Sequence, residues 1–297
     1  MYRLNTTRQG ILLALTAYLI WGIAPIYFKL IQQVPATEIL THRIIWSFFF
    51  MLILLAIGRN WRQLYALRHS PYKIALLALS ACLIGGNWLL YIWAVNHNHM
   101  LEASLGYFIN PLVNVLLGML FLGERFRRLQ WLAVGLAIIG VMVQLWQFGS
   151  IPMIALGLAF SFAFYGLLRK KNAIDAQSGM LMETLWLLPL ALYYLFGVAD
   201  SPTSHLTANP TSLNLLLIAA GVITTVPLLC FTAAATRLRL STLGFFQYLG
   251  PTLMFLLATL YYGEQMTSDK LIAFGFIWSA LLLFILDALY TQRRLRR

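Results

Sequence analysis

The chain has 297 residues, of which 61% are hydrophobic and only 10% charged. A soluble domain carries roughly 25% charged residues, and a larger soluble core cannot explain the deficit, because the buried fraction grows slowly with size. The net charge of +12 is spread over short loops between apolar runs rather than along one face or tail. That distribution excludes a nucleic-acid partner and follows the positive-inside rule of membrane proteins.

Long apolar runs fill the chain. A hydrocarbon core about 30 Å thick needs roughly 20 apolar residues per helix, and the sequence places ten such spans at 10–31, 36–57, 73–94, 101–122, 129–147, 150–168, 178–198, 213–235, 241–262 and 271–290. All are expected to be helices, since a lone segment in lipid must satisfy its own backbone and the alternation of a barrel strand is absent. The first run follows Arg3 and Arg8 but exceeds the 7–15 residues of a signal-peptide core. No cleavage site follows it, and it is expected to be retained. Cys82 and Cys230 lie inside apolar runs without disulfide or metal spacing.

With the amino terminus placed inside and the spans alternating, 18 of the 21 Lys and Arg residues fall on the inner side. Outside falls only Lys270, while Lys29 and Arg43 lie within spans. Both termini are therefore expected to be cytoplasmic.

Sliding the sequence on itself by 140 residues places Pro111 on Pro251, Gly123-Glu124 on Gly263-Glu264, Ala133 and Gly135 on Ala273 and Gly275, Ala94 on Ala234, and Lys29 on Arg169. Five spans per unit is an odd number, so the second unit enters the membrane from the opposite side. The expected fold is an all-α integral membrane protein of ten transmembrane helices, built as two inverted five-helix repeats over 1–147 and 148–297. Carriers of this build hold their substrate near the midplane between the halves.

The runs Leu105-Gly106-Tyr107-Phe108-Ile109-Asn110-Pro111, Phe121-Leu122-Gly123-Glu124 and Leu260-Tyr261-Tyr262-Gly263-Glu264 resemble the EamA-type repeats of the drug/metabolite transporter superfamily. Trp21-Gly22-Ile23-Ala24-Pro25, Thr41-His42-Arg43, Gly85-Gly86-Asn87-Trp88, Glu102-Ala103-Ser104-Leu105-Gly106-Tyr107 and Leu243-Gly244-Phe245-Phe246-Gln247-Tyr248 are similar to the bacterial RarD group within it. The resemblance covers nearly the whole chain. It implies a bacterial inner-membrane protein with ten helices and a central cavity, a link to chloramphenicol sensitivity through the group's name, and no settled substrate.

Pro111 and Pro251 fall near the middle of the fourth and ninth spans. Each lacks an N–H and clashes with the carbonyl four residues back, at Tyr107 and Gln247. One reading is a packing kink. The other is a substrate cavity lined by Tyr107, Asn110, Asn114, Gln247 and Tyr248; Tyr107, Asn110 and Asn114 share one helix face by their spacing. Trp21 and Trp88, with the neighbouring Asn87, are joined to that cavity by analogy with the family; interfacial anchoring is the default for membrane Trp.

Charge inside a membrane is expensive, about 2.5–3.5 kcal/mol for a central Arg, Lys or Asp. Lys29, Glu38, His42, Arg43 and Glu102 gather toward the outer side. Lys29 can snorkel from the end of its span. Glu38 and His42 share a helix face. Arg43 lies too deep to snorkel, so the sequence predicts an ion pair with Glu38 or Glu102, with substrate-anion binding or proton coupling through His42 as the alternative. Glu183 stands out as the acid well inside the second half, either a coupling carboxylate or a hydrogen-bonded structural one. The Gly-Glu pairs read as helix ends and turns.

No phosphate loop, zinc spacing or nucleophile elbow is present, so neither cofactor nor metal is expected. The expected function is secondary transport of a small metabolite or drug-like molecule by alternating access, with proton coupling as an option. An uncoupled facilitator and a membrane-embedded enzyme are the rivals. The expected partners are the substrate and the lipid bilayer; the sequence specifies no oligomeric state.

Overall fold

The computed structural model describes residues 2–58, 61–97, 99–256, 260 and 268–294, and among them every regular element is a helix. In chain order these are α1 (Tyr2–Leu30), α2 (Ala36–Gly58), α3 (Trp61–Leu67), α4 (Pro71–Asn96), α5 (Met100–Leu122), α6 (Arg128–Phe148), α7 (Met153–Asn172), α8 (Ala176–Gly197), α9 (Thr211–Ala235), α10 (Leu240–Gln247), α11 (Leu249–Leu256) and α12 (Ser268–Arg294). Eight of them, α1, α2 and α4 to α9, are long and apolar enough to cross a membrane. Large apolar side chains such as Ile57, Leu120, Trp146, Leu190 and Phe196 stand exposed on their outer faces. Water would not tolerate so continuous an apolar surface, but lipid does.

The boundaries follow local chemistry. Pro71 opens α4 at a position whose N–H would be unpaired anyway. Asp175 caps α8 by accepting a hydrogen bond from the Ser178 N–H at 2.9 Å. Gly123, at φ 61°, ends α5 in the left-handed conformation that lets the chain reverse.

The ninth expected span, 241–262, is not one continuous helix. It breaks at Tyr248 between α10 and α11, each eight residues and about 12 Å long at 1.5 Å per residue. The cause is Pro251, which cannot donate to the Gln247 carbonyl. The Tyr248 N–H instead bonds Phe245 O at 3.2 Å, a tighter turn. Pro111, the counterpart in α5, leaves its helix unbroken. The Gly263-Glu264 pair lies outside the described residues.

Contacts between helix ends sort the bundle into two ends. At one, Lys170 Nζ donates to Ala235 O and Leu238 O, Asn172 bonds Lys73 O, Arg239 bonds Arg125 O, and Arg127 pairs with Asp287 at 2.7 Å. Gly10 packs against Arg237 and Leu238 there as well. The basic loops thus share one end. At the other end Thr37 meets the Tyr194 hydroxyl at 2.6 Å, Glu38 accepts from Thr203 Oγ1 at 2.8 Å, and Glu102 accepts from the Ile154 N–H at 2.7 Å.

Laterally, α5 packs on α10 and α7, α6 on α12, α2 on α8 and α9, α1 on α9 and α11, and α4 on α7 and α8. Starts recur at a fixed interval: α8, α9 and α10 begin at Ala176, Thr211 and Leu240, each 140 residues after α2, α4 and α5 at Ala36, Pro71 and Met100.

Candidate functional site

The residues expected around the two prolines come together, but as a packed crossing. Asn110 and Asn114 lie one turn apart on α5: Asn110 Nδ2 donates to Ala159 O of α7 at 2.5 Å, and Asn114 Nδ2 donates to Asn110 Oδ1 at 2.8 Å. The Tyr248 hydroxyl donates to Phe108 O at 3.1 Å. Gly244 lets α10 lie against the Pro111 backbone, where an added Cβ would be 3.1 Å from Pro111 O. Pro111 and Pro251 are buried in this crossing and Gln247 is 5% exposed. Gln247 Oε1 and Asn114 Oδ1 are left without partners. Tyr107, on the same helix, is 36% exposed and belongs to a different group.

That group forms around Arg43, near the end of the bundle opposite the basic loops. Its Nε donates to Thr224 Oγ1 at 2.8 Å. The guanidinium carbon stands 4.8 Å from the Trp88 ring centre and 5.6 Å from that of Phe28, a cation–π arrangement. Tyr27, Tyr91 and Tyr107 are close enough to act on it electrostatically, and the Tyr91 and Tyr107 rings meet edge-on at 6.1 Å. Five helices, α1, α2, α4, α5 and α9, supply these side chains, so Arg43 is enclosed by protein. Yet Arg43, Phe28, Trp88 and Tyr91 are only half-buried. Each keeps part of its surface accessible.

The expected ion pair of Arg43 with Glu38 or Glu102 is not formed among the described residues. Both acids are engaged elsewhere, Glu38 by Thr203 and Glu102 by Ile154 N and by His99 at 3.7 Å. The reason is position: each opens its own helix and turns to the loop at the end of the bundle, while Arg43, seven residues into α2, points inward. His42 is buried beside Trp46, whose Nε1 donates to His42 Nδ1 at 3.3 Å. Lys29 ends α1 and is exposed.

The remaining residues divide. Trp21 packs among Tyr18, Phe162 and Phe231 at ring distances of 5.5–5.9 Å, joining α1 to α7 and α9. Asn87 Nδ2 bonds Leu158 O and Ser161 Oγ at 2.9 and 2.8 Å, tying α4 to α7 rather than facing the Arg43 group.

Toward the basic end lies a second buried polar cluster. Glu183 accepts from Ser80 Oγ at 2.5 Å and from the Tyr165 hydroxyl at 3.2 Å, and Arg169 Nη1 is 3.6 Å away. Both charged side chains are nearly sealed, at 2–3% exposure. Arg169, expected in the loop after the sixth span, lies on the inward face of α7. Its repeat mate Lys29 falls within a span, and Gly179, one turn before Glu183, leaves the room that the guanidinium fills. Asp287, buried against Arg127, is a second acid inside the second half, and its place in an apolar run was the available clue.

Glu124 closes the basic end. Its two oxygens accept from Leu240 N at 2.6 Å, Ser241 N at 3.1 Å and Ser241 Oγ at 2.5 Å. A carboxylate at a helix N-terminus satisfies donors with no intrahelical partner and complements the helix dipole. The Gly-Glu turn of the first half therefore fastens α5 to α10.

Comparison with known proteins places this architecture. Residues 8–146 match the EamA-like transporter family. The chain is 74% identical to the protein RarD of Salmonella typhimurium over 97% of its own length and 98% of the relative's. It is 61% identical to an uncharacterized transporter of Vibrio cholerae, covering 98% of this chain and 96% of that one. A solved crystal structure superposes with a TM-score of 0.71 at 20% identity over 92% of this chain and 96% of the other, which is a likeness of fold. The chain is a membrane transporter and belongs to the RarD group of the EamA-like family.

Proposed function

We propose that this transporter is a secondary carrier of the bacterial inner membrane that works by alternating access between two inverted halves, residues 1–147 and 148–297. The observation that carries the reading is the exchange symmetry of the packing. Taking α1, α2, α4, α5 and α6 as mates of α7, α8, α9, α10–α11 and α12, exchange of the halves turns the α1–α9 contact into α7–α4, α2–α9 into α8–α4, and α5–α7 into α10–α11 on α1, all of which occur. The contacts of α2 with α8, α5 with α10 and α6 with α12 map onto themselves. Tyr248 and Phe108, separated by the repeat interval of 140, bond each other directly, as residues on a two-fold axis do. On this reading α10 and α11 belong to the ninth crossing and α12 makes the tenth.

The α5–α10 crossing, with Asn110, Pro111, Asn114, Gln247, Tyr248 and Pro251, serves as the pivot. Cargo enters the space around Arg43, Trp88 and Tyr107. The Glu124 latch closes the opposite end, which the positive-inside rule makes cytoplasmic. The packing of Gly10 and Asp287 against loops of that end supports a cytoplasmic position for both termini. Against an enzyme reading, the cluster that sets an acid beside hydroxyls, Glu183 with Ser80 and Tyr165, is nearly sealed, with Glu183 and Arg169 at 2–3% exposure.

Two labelling experiments test this. In a chain without native cysteines, an impermeant thiol reagent outside the cell should modify Thr207→Cys, which is exposed, and not Ala173→Cys at the basic end; the reverse pattern overturns the orientation. Replacing Glu124 by Gln leaves one of the two oxygens and sets an amide against donors. The latch loosens, and labelling of Tyr107→Cys from outside should fall. Unchanged labelling contradicts the coupling of the two ends.

A further inference from the structure

We propose that Arg43 is the anchor for the carboxylate of an aromatic monoanion, with the Trp88, Phe28, Tyr91 and Tyr107 side chains receiving its ring. This site rests on the carrier reading for its purpose but not for its chemistry. Arg43 spends Nε on Thr224. Among the described residues its two Nη groups make no hydrogen bond and are not among the sealed orphan donors of the interior. They therefore keep accessible surface and offer two parallel donors, the fork that matches a carboxylate.

The surroundings narrow the class. Among the described residues the groups that act on Arg43 are the hydroxyls of Tyr27, Tyr91 and Tyr107. A lone guanidinium suits one negative charge better than the two of a phosphate monoester. The Tyr27 hydroxyl donates to Leu216 O at 2.8 Å, while those of Tyr91 and Tyr107 have no hydrogen-bond partner among the described residues, so they can donate to the same carboxylate. The two nearest acids are occupied: Glu38 by Thr203, and Glu102 by Ile154 N and His99. An α-ammonium group would have no counter-ion, and an amine-free acid is favoured over an amino acid. The rings beside Arg43 offer flat apolar faces, on which an aromatic body stacks or meets an edge.

The test is equilibrium binding of radiolabelled phenylacetate to the purified full-length protein in nanodiscs, with phenylacetamide, phenylalanine and inorganic phosphate as competitors. The expected result is that unlabelled phenylacetate competes at least about tenfold better than any of the three, the range of a charge-assisted hydrogen bond. Arg43→Gln should abolish that preference while eluting as the same monodisperse species. Arg43→Lys, which keeps the charge but not the fork, should bind several-fold more weakly. Absence of phenylacetate binding, equal competition by the amide, by phenylalanine or by phosphate, or wild-type binding by either variant would overturn the proposal. Binding is read without transport. A protein that binds phenylacetate through Arg43 but whose halves do not move keeps this site and loses the carrier reading.

Discussion

Glu183→Ala should lower stability by about 3–5 kcal/mol, the effect of removing one partner from a buried ion pair. Arg169 is 2% exposed and its Nε and Nη1 already lack hydrogen-bond partners. Without Glu183 it keeps no compensating charge, and the Ser80 and Tyr165 hydroxyls lose their acceptor. The converse change, Arg169→Met, should be milder, because Glu183 retains those two hydrogen bonds and can take up a proton. Combining Glu183→Leu with Arg169→Met should recover much of the loss, since an apolar pair of similar volume removes the desolvation penalty altogether. Thermal unfolding of the wild type, Glu183→Leu, Arg169→Met and their combination in one detergent measures the cycle. Simple additivity of the single losses would mean that the two side chains are not coupled.

Gly221→Val carries the second large effect. At Gly221 α9 crosses α2 so closely that an added Cβ would sit 2.6 Å from Trp46 Cβ and 2.7 Å from Ser47 N, and Ser47 Oγ donates to Gly221 O at 3.2 Å. The obstacle includes backbone, which cannot rotate away. Small residues at helix crossings in membranes allow this close approach, where van der Waals packing holds helices together. Overpacking typically costs 1–3 kcal/mol, and valine here should cost about 3 kcal/mol or more, with loss of the bond from Ser47. The control is Gly135→Ala, where nothing lies within 4 Å and stability should be unchanged or slightly raised by the better helix former. Equal melting temperatures for Gly221→Val and the wild type would mean that the α2–α9 crossing is looser than described.

Much of this architecture is readable from residues alone, because lipid forces regular helices and the 140-residue offset is written in the prolines and glycines. What sequence could not supply was direction. The spacing of Tyr107, Asn110 and Asn114 predicts one shared face, but Asn110 bonds α7 and Asn114 bonds Asn110 while Tyr107 meets Tyr91 of α4. For Arg43 the sequence predicts an ion pair because opposite charges lie nearby in the chain. The acids are drawn off by Thr203 and by the N-terminus of α7, partners far away in sequence. Arg43 and Glu183 occupy the same position in the two halves, 140 residues apart, as do Lys29 and Arg169. On the proposed inverted-repeat reading these are matched positions of the two halves, of which one holds a half-buried cation and the other a sealed ion pair.

Electron–electron distance measurements on spin-labelled protein in nanodiscs test the central claim of two halves that open in alternation. One label pair, at Arg128 and Arg237, spans the basic end, and another, at His97 and Thr207, spans the far end; all four positions are exposed. In the wild type the Glu124 latch is closed, and the first pair should be short. In Glu124→Gln the population with a longer first distance should grow, and the second distance should shorten in the same proportion of molecules. A single unchanged distribution at both ends, or lengthening at both together, would contradict alternating access between the halves.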